Sequence, residues 1–410
     1  MSVSPEVDTI RIDEEGVVAF TQALVRIPSV NDPGSGRSEQ PAADLVAAKM
    51  HEFGWVPLVS EAAPGRPNVV AVVDGGGGDG PTLMFEGHTD VVTEGALDTW
   101  TVDPYGAEIR DGRLYGRGSA DMKSGVAAML YAVRALQLDG PFPGRIKVCA
   151  LADEEGLMLG VHHFVDSGLA ADVDAAIVCE PEAGEICAVS KGAIRFRVDF
   201  HGRMAHGAMP QHARNPIRTA GAFVLKLAEL EQELQSRHGA HPHLGLPYVT
   251  PTVASAGDLD QINVIPAYAT VAIDVRTVPG VDHPSLVERV RGIAAAVGAD
   301  EEVRAEVAVL VDRPPVDTPV DTPVVAALAE AHSVVTGEEP VYGGVPGTTD
   351  GTILTALGGV PSVVYGPGGK WIAHQADEYV ELAEIIRCTR VYAEAARRFL
   401  HAAPHPGGTP

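Results

Sequence analysis

At 410 residues the chain is longer than a single compact domain usually runs, so the first expectation is one large domain carrying a smaller one. Its 55 aspartates and glutamates against 30 lysines and arginines leave a net charge of -25, which excludes nucleic acid and anionic lipid surfaces as expected partners. Four cysteines, Cys149, Cys179, Cys187 and Cys388, form no CxxC pair, so neither a disulfide framework nor a thiolate zinc site is expected, and reduced thiols point to the cytoplasm.

The opening residues, MSVSPEVDTIRIDEEG, are acidic and lack the apolar stretch of an export signal. No apolar run approaches the roughly 20 residues of a membrane span, so an unexported protein without a membrane partner is expected. Residues 68–74, 81–86, 145–152 and 174–179 are predicted strands, alternating with helical patterns in the rhythm of an α/β domain. Gly75 to Gly78 reads as a turn, because no Lys-Ser/Thr and no helix follow it to make a phosphate loop. Residues 122–138 put Val126, Met129, Leu130 and Val133 on one helical face.

Near Lys191 the texture changes, and AIRFRVDFHG alternates apolar and polar residues as a half-buried antiparallel strand does. A separate α+β unit is expected from there, with helices over 215–235 and 283–297 and strands near 250–256, 270–277 and 303–311. Beyond Arg313-Pro314-Pro315, helix and strand alternate again over 320–335, 352–357, 361–365 and 379–400. The α/β domain is therefore read as residues 1–190 and 312–410, interrupted by an insertion over 191–311. The tail HAAPHPGGTP, from 401, is expected to fray.

Five short motifs put a His or a carboxylate where strands end: GHTD (Gly87 to Asp90), SADMKSG (Ser119 to Gly125), ADEEG (Ala152 to Gly156), CEP (Cys179 to Pro181) and AHQADE (Ala373 to Glu378). Strand ends of an open α/β sheet converge on one crevice. The five candidate metal ligands are His88, Asp121, Glu155, Glu180 and His374. Two imidazoles and three carboxylates suit a pair of zinc ions that keep a coordination position open, although cobalt and manganese share such donors. Paired metals need one ligand that reaches both, and the short Asp121 carboxylate ahead of a helix is the best candidate. Asp90, two residues after His88, is expected to accept the second ring N–H and orient it. Glu154 and Glu155 are neighbours that point opposite ways on an extended chain, so Glu155 ligates while Glu154 serves as the base toward water.

These residues resemble the M20 family of metallopeptidases and amidohydrolases, the group of acetylornithine deacetylase, succinyl-diaminopimelate desuccinylase, aminoacylases and glutamate carboxypeptidases. The resemblance runs through GHTDVV, DGRLYGRGSADMKSG, ADEEG, CEP, AHGAMP and GPGGKWIAHQADEYV. It implies a zinc-hydrolase α/β domain, its mixed sheet flanked by helices, and makes the insertion a ferredoxin-like lid and dimerisation domain. It assigns His88, Asp121 and Glu180 to one zinc, Asp121, Glu155 and His374 to the other, and Glu154 as general acid/base. A cis peptide after Asp121 is also implied. His206, in RMAHGAMPQHARNPI, is the residue such a family sends across a homodimer to the substrate carbonyl, where it steadies the oxyanion. Glu at position 180 looks like the deacylase and carboxypeptidase branches.

Asn263 in QINVIP and Arg276 in AIDVRT fit a substrate-carboxylate site, with an internal acid as the rival partner for Arg276. Thr349 in GTTDG offers a hydroxyl to substrate, or GTTDG is a plain helix start with Asp350 near the N-cap. The chain departs from the commonest family pattern at Thr93 and at Gly369-Lys370-Trp371, where Lys370 meets an acidic acyl group or stands in solvent. The expected activity is metal-dependent hydrolysis of the amide of an N-acyl amino acid, by attack of a zinc-bridging hydroxide. A metallo-dipeptidase or carboxypeptidase with the same metals is the alternative.

Overall fold

The segment Thr82–His88 is buried at every position, so it must be covered on both faces and paired along both edges. In the computed structural model, which describes residues 10–402 apart from 31, 33 and 35, it lies at the centre of a mixed sheet, parallel to Arg145–Leu151 on one side and Ala175–Val178 on the other. All but the first two residues of the tail expected to fray lie outside the described residues. From one edge the sheet runs Leu58–Ala63, Arg66–Asp74, Arg145–Leu151, Thr82–His88, Ala175–Val178, Ser362–Val364 and Ile186–Ser190. The outer pairs are antiparallel, whereas Ser362–Val364 runs parallel to Ala175–Val178.

Period-two alternation divides this sheet between two cores. Leu83, Phe85, Ile146 and Val148 face the larger, built with the helices Glu14–Val25, Gln40–Glu52, Ser124–Asp139, Pro323–Thr336 and Leu382–His401. Met84, Cys149 and Leu151 face the smaller, closed by the helices Leu159–Asp166 and Asp350–Ala356. Nearly the whole of Ser124–Asp139 is buried, because other helices cover the side it turns away from the sheet. The helical face expected from 122 begins two residues later, since Asp121 and Met122 have non-helical dihedrals. All four cysteines are buried and free.

A second unit comprises Val189–Asp317 with Gly344–Thr348. Its chain order is strand Gly192–His201, helix Pro216–His238, strands Tyr248–Ala256 and Tyr268–Thr277, helix His283–Asp300 and strand Arg304–Arg313. The antiparallel sheet orders these as second, third, first, fourth, the split β-α-β arrangement of ferredoxin-like folds. Strand Tyr268–Thr277 alternates strictly between buried and more open positions, its Val271, Ile273 and Val275 packing under both helices. Tyr248–Ala256 is the sheet's edge, and all its residues but Val249 are exposed.

The core of this unit turns on Phe223, fully buried and set edge-on to Phe200 with ring centroids 5.5 Å apart. Replacing Phe223 by Ala is expected to cost about 3–5 kcal/mol, seen as a lower urea midpoint for the unit, whereas Leu225→Ala, on the exposed side of the same helix, changes little.

Candidate metal centre

The parallel strands deliver their carboxyl ends to one side of the sheet. His88 is the last residue of its strand, Glu180 follows Ala175–Val178 by two residues, and Glu154 and Glu155 follow Arg145–Leu151. Asp121 comes from the segment Ser119–Lys123, whose Asp121–Met122 peptide is cis. The helix beyond it approaches very closely: a Cβ on Gly125 would stand 2.1 Å from the carbonyl oxygen of Cys179, the residue before Glu180. Glycine there brings Asp121 and Glu180 together.

His88 Nδ1 lies 3.0 Å from the backbone carbonyl of Asp90 and 3.3 Å from its carboxylate, so Nδ1 carries a proton and Nε2 is the ring nitrogen turned toward the other acids. That Nε2 is 3.1 Å from Asp121 Oδ1 and 3.4 Å from Glu180 Oε1. His374 Nε2 is 3.2 Å from Asp121 Oδ2 and 2.8 Å from Glu155 Oε1. The donors of His88, Asp121 and Glu180, and those of Asp121, Glu155 and His374, each fall within 4.8 Å of one another. One carboxylate thus turns an oxygen to each of two triads of metal-ligating groups, the donor arrangement a pair of nitrogen- and oxygen-preferring cations requires.

The division between Glu154 and Glu155 has a different origin from the extended chain expected. Both lie in a turn that follows Asp153, whose φ is 66°. The carboxylate of Asp90 holds this turn, Oδ1 accepting from the Glu154 amide and Oδ2 from the Glu155 amide, each at 3.1 Å. Asp90 therefore orients His88 chiefly through its carbonyl, while its carboxylate aims the two glutamates.

Comparison with known proteins places the chain. The model of peptidase family M20/M25/M40 matches residues 84–398. The chain belongs to this family. A succinyl-diaminopimelate desuccinylase of Rhodospirillum centenum is 32% identical over 94% of this chain and 98% of its own. Among solved structures, aminopeptidase PepT from Bacillus cereus superposes with a TM-score of 0.78 at 18% identity, covering 95% of this chain and 99% of that one. A dinuclear metal-binding M20 peptidase from Bacillus subtilis gives 0.72 at 18% identity, covering 94% and 98%. The protein is accordingly an M20 metal-dependent amide hydrolase.

The electrostatics of this M20 centre are those of crowded acids. Burial, then Asp121, pushes Glu180 up to about 8. Burial and Glu180 raise Glu154 well above the usual carboxylate range, and burial and Asp121 raise Glu155. Burial lowers His88, but Glu180, Asp121 and Asp90 outweigh it and hold the ring well above its ordinary value. Hydrogen bonds to Asp121 and Glu155 raise His374 to about 10. Burial also raises Asp121, and the two imidazoles overcome that and keep it ionised. A cation between the triads relieves this repulsion.

The remaining candidates divide between the units. In the second, His206 belongs to a two-residue ribbon with Val264–Ile265, and the Gly207 amide donates to the Asn263 carbonyl at 2.7 Å, so His206 and Asn263 are neighbours on an exposed surface. The Ala208 amide donates to His206 Nδ1 at 3.0 Å, leaving the proton of the neutral ring on Nε2. Arg276 pairs along its own strand with Asp274, Nε to Oδ1 at 2.6 Å, the rival arrangement. In the first unit GTTDG is a helix start, with Thr349 the N-cap of Asp350–Ala356 and Asp350 next to it; the buried Thr349 hydroxyl makes no hydrogen bond among the described residues. Lys370 pairs with Glu182 at 2.7 Å and Glu185 at 3.1 Å, so it does not stand in solvent by itself.

Sequence reasoning missed Arg117 and Glu378, a fully buried ion pair beside the candidate ligands, and Glu39 with Arg66, which pair with each other and hold the amide and the carboxylate of Asp153. Arg117 and Glu378 both stand inside motifs already singled out, and a charged residue in each motif with no role assigned to it was the available signal.

Glu180 keeps its proton in the folded metal-free protein from its ordinary value of 4.5 up to about 8, whereas the unfolded chain releases it. Stability of the metal-free form therefore falls as pH rises through that window. His374 adds the same sign: its contribution is complete below 6.5 and fades toward about 10. Thermal unfolding should show the chelator-treated protein losing midpoint steadily from about pH 5 to about pH 8, a loss absent in metal-replete protein, where cations replace the protons.

Proposed function

We propose that the chain is a two-zinc deacylase acting on an N-acyl amino acid or a related linear amide with a free carboxylate. The observation that carries this is the Asp121 carboxylate, whose two oxygens face two separate triads, with the unligated Glu154 buried beside them. The desuccinylase relative, matched over nearly the whole chain, supports deacylation. Among the described residues no helix is long and apolar enough to cross a membrane, and with four buried thiols this favours a cytoplasmic location.

His88, Asp121 and Glu180 would hold one zinc, and Asp121, Glu155 and His374 the other. Bound there, the ions supply Lewis-acid polarisation of the amide carbonyl and ready ionisation of water at neutral pH. Glu154 takes the proton of the attacking water at its carboxylate and passes it to the leaving nitrogen, so the amine departs neutral.

His206 donates from Nε2 to the developing oxyanion, the tautomer already set by the Ala208 amide. It acts from the partner subunit of a homodimer joined through the second unit, whose exposed edge strand Tyr248–Ala256 offers unpaired backbone groups to a second copy. Asn263, beside His206, and Arg276, once released from Asp274, take the substrate carboxylate, and the Thr349 hydroxyl gives a further hydrogen bond.

A panel of N-succinyl and N-acetyl amino acids and dipeptides, run with and without chelator, tests the reading. Acyl amino acids should be cleaved at least about tenfold faster than dipeptides, in metal-replete protein only, and Glu154→Gln should lower kcat by about 10²–10⁴ with both metals still bound. Faster dipeptide cleavage moves the assignment to a metallo-dipeptidase or carboxypeptidase; near-normal turnover in Glu154→Gln removes Glu154 as the base. Mixed His206→Ala and Glu154→Ala subunits are expected to regain activity that neither homodimer has, and no recovery after demonstrated subunit exchange places His206 in its own subunit's site or outside catalysis.

A further inference from the structure

His88 and Glu180 leave the ends of central strands, and the sheet itself holds them. Asp121 and His374 have no such support. Asp121 lies in a kinked segment, and His374 lies in a run of turns with φ at 65°, a left-handed conformation that a residue with a Cβ seldom keeps without external restraint. One ion pair reaches both. Glu378 Oε1 accepts from the amides of Ala120 at 3.0 Å and Asp121 at 3.1 Å, and its Oε2 pairs with Arg117 Nη1. Nη2 of the same guanidinium donates to the backbone carbonyl of His374 at 3.2 Å.

Both side chains are buried, the guanidinium lying over the Trp100 ring at 5.2 Å. The backbone closes the ring, since the Gly116 amide donates to the Glu378 carbonyl and Tyr379–Glu381 pairs with Arg113–Tyr115. A buried ion pair is a poor source of net stability, but it enforces geometry on whatever its remaining hydrogen bonds touch. Here those bonds end on Asp121, which both triads share, and on His374, which belongs to one triad alone and which only the second arm of Arg117 reaches.

We infer that Arg117 and Glu378 are a positioning pair that sets the metal position formed by Asp121, Glu155 and His374, and leave the position formed with His88 and Glu180 largely to the sheet. This rests on the two-metal reading above. The pair touches neither substrate nor donor atoms and acts through the backbone of the ligands. Lysine at 117 keeps the charge beside Glu378 but has no second arm for the His374 carbonyl.

Titration of metal-free full-length protein with Co2+, followed by visible absorbance and by metal content after dialysis, tests the inference. Wild type is expected to take up two ions. Arg117→Lys should bind one as before and the other about 10–100-fold more weakly, with the thermal midpoint of the metal-free protein little changed. Glu378→Gln, which keeps the side chain's shape but loses the charge that anchors Arg117, is expected to show the same selective loss and serves if Arg117→Lys does not fold. Two unchanged Co2+ affinities with a lowered metal-free midpoint, or equal weakening at both positions, overturns the inference while sparing the two-metal reading. Uptake of fewer than two Co2+ by wild type overturns that reading and this inference with it.

Discussion

The rest of the site depends on the Asp121 carboxylate, which must serve two imidazoles at once. Its oxygens lie 3.1 Å from His88 and 3.2 Å from His374, and every other feature of the centre follows from keeping those two contacts in place. A carboxylate with only one methylene has little reach, so the backbone carrying it must be located closely. The packing of Gly125 against the strand that leads to Glu180 and the capture of the Asp121 amide by Glu378 provide that location.

Bringing acids together in a buried space costs free energy that the protein offsets in several layers. Asp90 spends its negative charge on the amides of Glu154 and Glu155, Glu378 spends its charge on Arg117, and Glu39 is matched by Arg66. Glu154, Glu155 and Glu180 remain raised by burial and by one another even after these pairings. The crowding that disfavours the metal-free fold is what a bound cation would relieve, so the cost of assembly and the attraction for a cation share one cause.

The two units divide the physical tasks. The first carries all five candidate ligands and Glu154 on a sheet whose central strand is buried along its whole length. The second carries His206 and Asn263 on a short exposed ribbon, apart from its own core of Phe196, Phe200 and Phe223.

Local pattern carried much of this protein in its sequence. Buried strands, amphipathic helices and the alternating strands after Lys191 follow from side-chain periodicity, and the elements expected depart from those observed mainly by a few residues at their ends; the helices Glu14–Val25, Gln40–Glu52 and Leu159–Asp166 and the strands Leu58–Ala63 and Ile186–Ser190 were not among them. The candidate ligands stood out because each lies in a short motif, but only His88, Glu155 and Glu180 come from strand ends as expected; Asp121 lies in a kinked segment and His374 in a run of turns. Long-range partners were not legible, since a partner 261 residues away leaves no periodicity: Arg117 and Glu378 find each other only when Tyr379–Glu381 pairs with Arg113–Tyr115. The turn that aims Glu154 and Glu155, the pairing of Arg276 with Asp274 and the clipping of Lys370 by two glutamates were likewise decided in space. Sequence determined which chemical groups are present and on which elements, because propensity and periodicity are local. Tertiary structure alone decided which oxygen faces which nitrogen, because that depends on packing between segments remote in the chain.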